Sequence, residues 1–273
     1  LVSNGNFSQI GTEEVLNGNF SQEGSELITN GDFSNGNTGW SLSGTNPPVI
    51  ENGLLKFSFS NGTYSRARQN IGIINAKITY TVVNSNVSTF QIRDYGGGNS
   101  QLVPATVGTH TIYRNFTGNG ISFQSGSIDG GILEIDNVSV KEVGQNWNLG
   151  SGWSIGEEKL IGANADSSTY QGIGIQVNKS YKIQFTVIDY VSGSVRPLLN
   201  GLTNVDGTNV SSNGTYTEYL NSNTSSNGNF SIRGVNFNGS VTNISVKEVG
   251  QDWTLGTGWS IDQSNSKATC DGT

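Results

Sequence analysis

The sequence of 273 residues has one cysteine, no methionine and a single histidine. One thiol can form neither an intramolecular disulfide nor a thiolate cage for a metal. The chain also lacks a run of about 18 apolar residues, so no membrane insertion is predicted. Because methionine is missing even at the first position, we expect the sequence to be part of a longer or processed protein.

Charge is scarce as well. Only 13% of the residues are charged, and acidic residues outnumber basic ones by 21 to 14, which gives a formal net charge of −7. Binding to a phosphate backbone needs clustered lysine and arginine, so nucleic acid is not expected as a partner. Glycine is abundant instead, with 38 residues, and Asn, Ser and Thr are frequent. This composition is typical of strands and turns.

A short motif recurs three times near the N-terminus. Asn-Gly-Asn-Phe-Ser occupies positions 4–8 and 17–21, and Asn-Gly-Asp-Phe-Ser occupies positions 30–34, at a spacing of 13 residues. Each copy joins an Asn-Gly turn signal to an aromatic residue, which predicts a short strand beside a turn. Short strands alone are unstable in water, so we expect these copies to pair with strands of neighbouring chains.

A longer repeat organises the rest of the chain. The octapeptide at 138–145 returns with one change at 244–251, 106 positions later. The segments at 77–82 and 182–187 also match, so we predict the same strand order in two modules. The predicted boundaries are 1–26 for the short repeats, which we interpret as an assembly segment, 27–145 for module 1, 146–251 for module 2 and 252–273 for the truncated start of a third module.

Alternating apolar and polar residues predict strands with one buried face, most clearly at 55–59 and 77–82. Turn signals separate these strands and favour an antiparallel sandwich. They are Asn61-Gly62, Gly96-Gly97, Asn119-Gly120, Gly130-Gly131, Asn213-Gly214 and Asn227-Gly228.

The segment at 27–34, the Gly39-Trp40 pair and the segment at 135–140 resemble the opening and closing strands of jelly-roll carbohydrate-binding modules of the family 4, 9 and 22 type. The resemblance implies an all-β chain of tandem antiparallel jelly-roll β-sandwich modules, preceded by the short 13-residue repeats. The tandem copies that contain Val-Ser-Val-Lys-Glu-Val-Gly-Gln also resemble repeats in structural and fibre proteins of marine tailed phages. That second likeness implies an extracellular location on the virion surface.

The first resemblance also implies a structural calcium ion in module 1. In that family, acidic and carbonyl oxygens near the first and last strands often hold calcium, and here they would involve Asp32 and Asp136. In module 2, Thr242 stands at the position of Asp136, and Trp147 stands at that of Phe33. We therefore expect no calcium site there.

Aromatic residues are the first candidates for contact with a sugar, because a ring can stack on a pyranose face. Tyr95 with Asn99, and Tyr190 with Arg196, are the predicted loop-borne glycan contacts. The tryptophans after glycine are interpreted as repeated core residues, and those after each closing strand as packing between modules. The first group is Trp40, Trp153 and Trp259, and the second is Trp147 and Trp253.

Catalysis is not predicted. The only histidine, His110, is replaced by Tyr216 in module 2, so this position needs no base chemistry. A glycosidase can work with two carboxylates alone, and the candidate pairs are Glu134 with Asp136 and the neighbours at 157–158. We interpret them as solvated surface acids.

The sequence therefore favours a non-catalytic structural and adhesive segment of a phage fibre or virion appendage. Its expected partners are further copies of the chain or other virion proteins, and a cell-surface glycan. Two alternatives remain open: a carbohydrate-binding module pair of a secreted polysaccharide-degrading enzyme, and a bacterial surface adhesin or filament subunit.

Overall fold

The computed structural model describes residues 2–60, 63–72, 75–125, 129–201, 203–222, 226–262, 265 and 267–272. These residues form twenty β-strands, and they contain no helix long and apolar enough to cross a membrane. The prediction of an all-β chain of sandwich modules is confirmed. The predicted turn at Asn61-Gly62 lies outside the described residues.

The chain divides into two compact units. Glu23–Val143 form one, which we call the continuous unit. Leu1–Gln22 and Gly144–Thr273 together form the other, which we call the split unit. The chain therefore passes into the continuous unit after Gln22 and leaves it after Val143.

The continuous unit consists of two antiparallel sheets. The first contains β1 (Glu23–Glu26), β3 (Val49–Glu51), β4 (Leu54–Ser58), β6 (Asn75–Ser85), β9 (Gly108–Asn115) and β11 (Ile132–Val143). Its order is β3-β4-β11-β6-β9, and β1 pairs with β11. The second contains β2 (Ser41–Gly44), β5 (Ser65–Asn70), β7 (Thr89–Asp94), β8 (Ser100–Pro104) and β10 (Gly120–Gln124), in the order β2-β5-β10-β7-β8.

The core lies between these two sheets. Ile78, Tyr80 and Val82 of β6 are at most 1% exposed, whereas the polar residues between them are not buried. The apolar residues at 55–59 alternate in the same way. The predicted period of two is confirmed for β4 and β6, because each of these strands puts every second side chain into the core.

The split unit repeats this arrangement with longer strands. It contains β12 (Trp153–Gly156), β13 (Lys159–Ala165), β14 (Ser168–Gly172), β15 (Lys179–Gly201), β16 (Val205–Asp206), β17 (Gly214–Ser222) and β18 (Ser226–Val249), with a separate ribbon of β19 (Trp259–Asp262) and β20 (Lys267–Cys270). Strand β15 takes the places of β6 and β7, and β18 those of β10 and β11. The predicted common strand order is confirmed.

One predicted equivalence was wrong. Strand β12 pairs with β13 as β3 pairs with β4, so Trp153 does not correspond to Trp40. The counterpart of Trp40 is Trp147, because the residue after it bridges β14 as the residue after Trp40 pairs with β5. Trp153 is nevertheless a core residue, as predicted, whereas Trp259 is 45% exposed. The pairs Gly39-Trp40 and Gly152-Trp153 look alike in sequence but lie at the start of different strands, β2 and β12.

Each copy of the short repeat packs against one tryptophan. The three phenylalanine–tryptophan pairs have ring centroids 5.3–5.4 Å apart, and they are Phe33–Trp40, Phe20–Trp147 and Phe7–Trp253. In each pair the indole Nε1 donates to the backbone carbonyl of the first asparagine of the repeat, at 3.0, 3.3 and 3.2 Å. The last copy of the repeat therefore contacts the first of these tryptophans, and the first copy contacts the last.

Two further predictions are corrected by these contacts. Phe20, and not Trp147, stands where Phe33 does in the continuous unit. Trp147 is buried among the aromatic residues of the split unit, so it is not a residue between modules. This contact could not be predicted from the sequence, because the partner of Trp147 lies 130 residues away.

The short repeats also pair within the chain. In the split unit, Gly11 and Glu14 donate backbone hydrogen bonds to β18, at 2.8 and 2.9 Å. Gly18 accepts one from Ile244 at 2.9 Å. Pairing with strands of neighbouring chains stays a prediction.

Candidate functional site

The outer side of the second sheet of the continuous unit carries a concentrated set of polar side chains. Because Ala67 of β5, Ile92 of β7 and Phe123 of β10 are buried in the core, the residues on either side of them in these strands point outward. We call this set the arginine face, and it consists of Arg66, Arg68, Ser122, Gln124, Gln91 and Arg93. Across the strands, Ser122 lies between Arg68 and Arg93, and Gln124 lies between Arg66 and Gln91.

Hydrogen bonds to neutral acceptors connect the side chains of this face. Arg66 Nε donates to Gln124 Oε1 at 2.7 Å, and Gln124 Nε2 donates to Gln91 Oε1 at 3.3 Å. Arg68 Nη2 donates to the hydroxyl of Ser43 at 2.9 Å. The guanidinium groups are therefore oriented without a carboxylate partner among the described residues.

Two tyrosine rings support the arginines. The Arg66 guanidinium lies 4.2 Å from the ring centroid of Tyr64, and that of Arg68 lies 5.2 Å from the centroid of Tyr95. Such contacts hold a cation over the negative face of a ring. Tyr64 is 47% exposed, so an aromatic surface lies beside the charges.

The loop between β7 and β8 folds over one edge of the face. Arg93 Nη2 donates to the carbonyls of Gly97 and Gly98, the latter at 3.3 Å. Gly97 has φ +82°, and a Cβ there would lie 3.6 Å from Arg66. The predicted residue Tyr95 thus borders the arginine face through Arg68.

Asn99, the second predicted residue of this loop, closes its base. Its Nδ2 donates to Thr117 Oγ1 at 3.1 Å, and its carbonyl accepts from Arg114 Nη2 at 2.7 Å. Tyr95 is half-buried and Asn99 is exposed. Contact of either residue with a sugar stays a prediction.

A buried ion pair that the sequence analysis missed anchors this loop. Asp94 is 3% exposed, and its carboxylate lies 2.9 Å from Arg114 Nη2 and accepts from Thr117 Oγ1 at 2.7 Å. Burial alone would raise its pKa, but the hydrogen bonds from Thr117 and Arg114 outweigh burial and lower the pKa. The sequence contained one sign of this ion pair, because Asp94 falls on the inward face of the alternating strand β7.

The other predicted pair lies in the split unit. The Tyr190 hydroxyl donates to the Gly193 carbonyl at 3.0 Å, whereas Arg196 Nη2 lies 3.0 Å from Asp206 Oδ2. Arg196 occupies the position that Gln91 has in the continuous unit. The structure therefore gives Tyr190 and Arg196 separate partners, and their role in glycan binding stays a prediction.

The two predicted calcium ligands take part in local turns. Asp32 Oδ1 accepts from the backbone nitrogen and hydroxyl of Ser34, at 3.3 and 3.0 Å. Asp136 accepts from the backbone and side-chain nitrogens of Asn137, at 2.6 and 3.1 Å. No three His, Cys, Asp or Glu side chains are grouped for a metal within the described residues. A calcium ion there would need backbone carbonyls in addition, and the site stays a prediction.

The residues considered for catalysis have structural partners. His110 packs against Tyr80 with tilted rings and centroids 5.3 Å apart, and Tyr216 packs against Phe185 at the same place in the split unit. Glu134 lies 3.5 Å from Lys56 Nζ. The acids at 157–158 lie in a turn with positive φ.

No family model matches the sequence, and no curated protein matches it. Among solved structures, the chain is similar to the tandem CBM22 modules of Xyn10C from Paenibacillus barcinonensis, with 10% identity, 84% of this chain and 99% of that chain covered, and a TM-score of 0.31. It is also similar to the tandem CBM51 modules of a family 98 glycoside hydrolase from Streptococcus pneumoniae, with 9% identity, 84% and 97% covered, and a TM-score of 0.23. Similarities at these scores say nothing about what this chain binds.

Proposed function

We propose that this chain is a non-catalytic glycan-binding segment, and that it belongs to a phage fibre or another extracellular virion appendage. The arginine face is the observation that carries glycan binding. Sugar hydroxyls are recognised by oriented amides and guanidinium groups beside exposed aromatic rings. Gln91, Gln124 and the arginines supply the donors and acceptors, and Tyr64 supplies the ring.

The repeated units and short repeats support the assignment to a virion appendage. Two units share one strand order, and each of the three short repeats packs against its own tryptophan. Modules of this kind suit a filament in which weak sites gain avidity from many copies, with further copies of the chain or other virion proteins as partners.

Glycan binding is tested with the intact chain on an array that carries both neutral and acidic glycans. Selective retention of one glycan class, reduced when Arg66 and Arg68 are both replaced by glutamine, is the expected result. An array with no retained glycan would contradict the proposed binding function.

The appendage is tested by electron microscopy of the intact native assembly. A symmetric fibre with regularly spaced sandwiches is expected. Monomers joined flexibly to a catalytic domain would instead favour the module pair of a secreted polysaccharide-degrading enzyme.

A further inference from the structure

The arginine face differs in charge from the rest of the chain. The sequence has six arginines, and three of them lie on this face. The other three are each within 4 Å of an aspartate: Arg114 with Asp94, Arg196 with Asp206, and Arg233 with Asp166. The three arginines of this face have no carboxylate partner among the described residues, so they concentrate positive charge on one side of a sheet in a chain with a net charge of −7.

The corresponding face of the split unit is neutral by comparison. Its register places Tyr170 where Arg68 stands, and Arg196 and Arg233 where the two glutamines stand. Both of these arginines have an aspartate partner. The same scaffold therefore carries balanced charge in one unit and unbalanced positive charge in the other.

The guanidinium groups of the arginine face also retain donors. A guanidinium has five N–H donors, and the structure gives Arg66 and Arg68 one hydrogen bond each. Arg68 Nε and Arg93 Nε are buried without a protein acceptor, and so is the hydroxyl of Ser122, which is 0% exposed. Guanidinium groups match carboxylate and sulfate geometry with paired hydrogen bonds.

We infer that the arginine face selects acidic glycans, in which the sugar carries a carboxylate or a sulfate group. This inference rests on the proposed glycan-binding function and names its ligand class. An oxyanion between the arginines reduces their mutual repulsion and accepts hydrogen bonds from their unpaired N–H groups. A neutral sugar accepts hydrogen bonds but does not reduce the repulsion. The Tyr64 and Tyr95 rings hold two of the cations in place before binding, which limits the entropy lost on binding.

The test measures binding of the intact chain to three polymers: polygalacturonate, a sulfated galactan, and the same galactan after desulfation. We expect tight binding to one or both acidic polymers, and the preferred polymer shows whether carboxylate or sulfate is recognised. Raising the salt concentration from about 0.05 to 0.5 M should weaken binding several-fold. The desulfated galactan should not be retained.

Variants locate the binding. Arg68→Gln and Arg66→Gln should each lower affinity for the acidic polymer about tenfold or more. Arg68→Lys keeps the charge but loses the paired donors, so its affinity should lie between that of the natural chain and that of Arg68→Gln. Lys56→Gln on the outer side of the first sheet is the control, since it removes the same charge and should leave affinity unchanged. Thermal unfolding of each variant checks that the sandwich is intact.

Different failures have different meanings. Retention of the desulfated galactan as tight as that of the preferred acidic polymer would overturn the acidic ligand class and leave glycan binding standing. No binding to any polymer would overturn both proposals. The inference would also be overturned by equal losses in Arg68→Gln and Lys56→Gln, or by equally tight binding of single-stranded DNA.

Discussion

The continuous and the split unit hold their short repeats through the same bonds. Glu26 Oε1 accepts from the backbone nitrogen of Val140 at 2.9 Å, and Glu13 Oε1 accepts from that of Val246 at 2.7 Å. Such a set of repeated bonds shows that the 13-residue motif is a docking segment for a sandwich edge. In both units the closing strand, β11 or β18, provides these backbone partners.

A glutamine in each unit binds the short repeat in the same way. Gln69 binds the backbone nitrogen and carbonyl of Thr29, and Gln171 binds those of Leu16, all within 2.6–3.0 Å. Each glutamine thereby satisfies backbone groups that a neighbouring strand would otherwise satisfy.

The contacts that hold the short repeats differ in charge between the two units. Glu23 of the continuous unit lies 2.5 Å from Lys77 and 3.0 Å from Lys141. The split unit has Ile10 at this position, because Ile10 bridges Val249 as Glu23 pairs with Val143. We therefore expect the split unit to hold its short repeat less firmly, because the corresponding ion pairs are missing.

The largest expected effect comes from the glycines of the repeats. A Cβ at Gly31 would lie 2.0 Å from the Val138 carbonyl oxygen, and one at Gly18 would lie 2.0 Å from that of Ile244. Gly31→Ala and Gly18→Ala should each destabilise their own unit by about 3 kcal/mol or more, since the backbone must shift. Hydrogen exchange should increase in 135–143 for the first variant and in 241–249 for the second.

Gly5 provides the matched control, because it holds the same place in the first copy. The nearest atom to a Cβ there is 3.7 Å away, an ordinary contact distance. Gly5→Ala should change stability by less than about 0.5 kcal/mol. Equal losses for the three alanine variants would show that the glycines act through chain flexibility and not through close backbone contact.

The sequence predicted the strands well and their partners poorly. Alternation in β6 and the repeated closing strand were enough for the fold class and the common strand order. The reverse-order docking could not be predicted, since Trp253 and its acceptor Asn4 lie 249 residues apart and no periodicity encodes that contact.

The arginine face shows the same limit. The sequence Arg-Ala-Arg at 66–68 and Gln-Ile-Arg at 91–93 places each set on one side of its strand, which was readable from the period of two. That β10 lies between these two strands was not readable, because the neighbours in this sheet are distant in sequence. Tyr95 was found from its loop, whereas the arginines were missed.

A pH effect of intermediate size should separate the two attachments. Partial burial raises the pKa of Glu14, and the nearby carboxylates of Glu248 and Glu13 add to the rise. By contrast, hydrogen bonds from Lys77 and Lys141 lower the pKa of Glu23. Protonation of Glu14 therefore favours the folded state as pH falls through the folded-state pKa of this residue. Glu23 instead loses its stabilising effect as pH falls through its folded-state pKa.

The variant Glu14→Leu tests this, because the continuous unit has Leu27 at the equivalent position. It should stabilise the split unit at pH 7 by about 1 kcal/mol, from apolar burial and lost repulsion. It should also remove the gain in protection of the short repeat between pH 7 and mildly acid pH, measured by hydrogen exchange in 10–18. A pH profile identical to that of the natural chain would contradict the role of Glu14.

The smallest effect is expected at Ile10. Lys182 and Lys247 pair across strands as Lys77 and Lys141 do, so the variant Ile10→Glu should place a carboxylate between two cations. Exposed ion pairs are worth little, and we expect a gain of about 0.5 kcal/mol in the free energy of unfolding at low salt. Ile10→Gln is the control, since it has the same length without the charge. The gain of Ile10→Glu over Ile10→Gln should disappear in about 0.5 M salt, because exposed charges are then screened. A gain that salt does not change would mean that the two units differ at this position in backbone pairing and not in electrostatics.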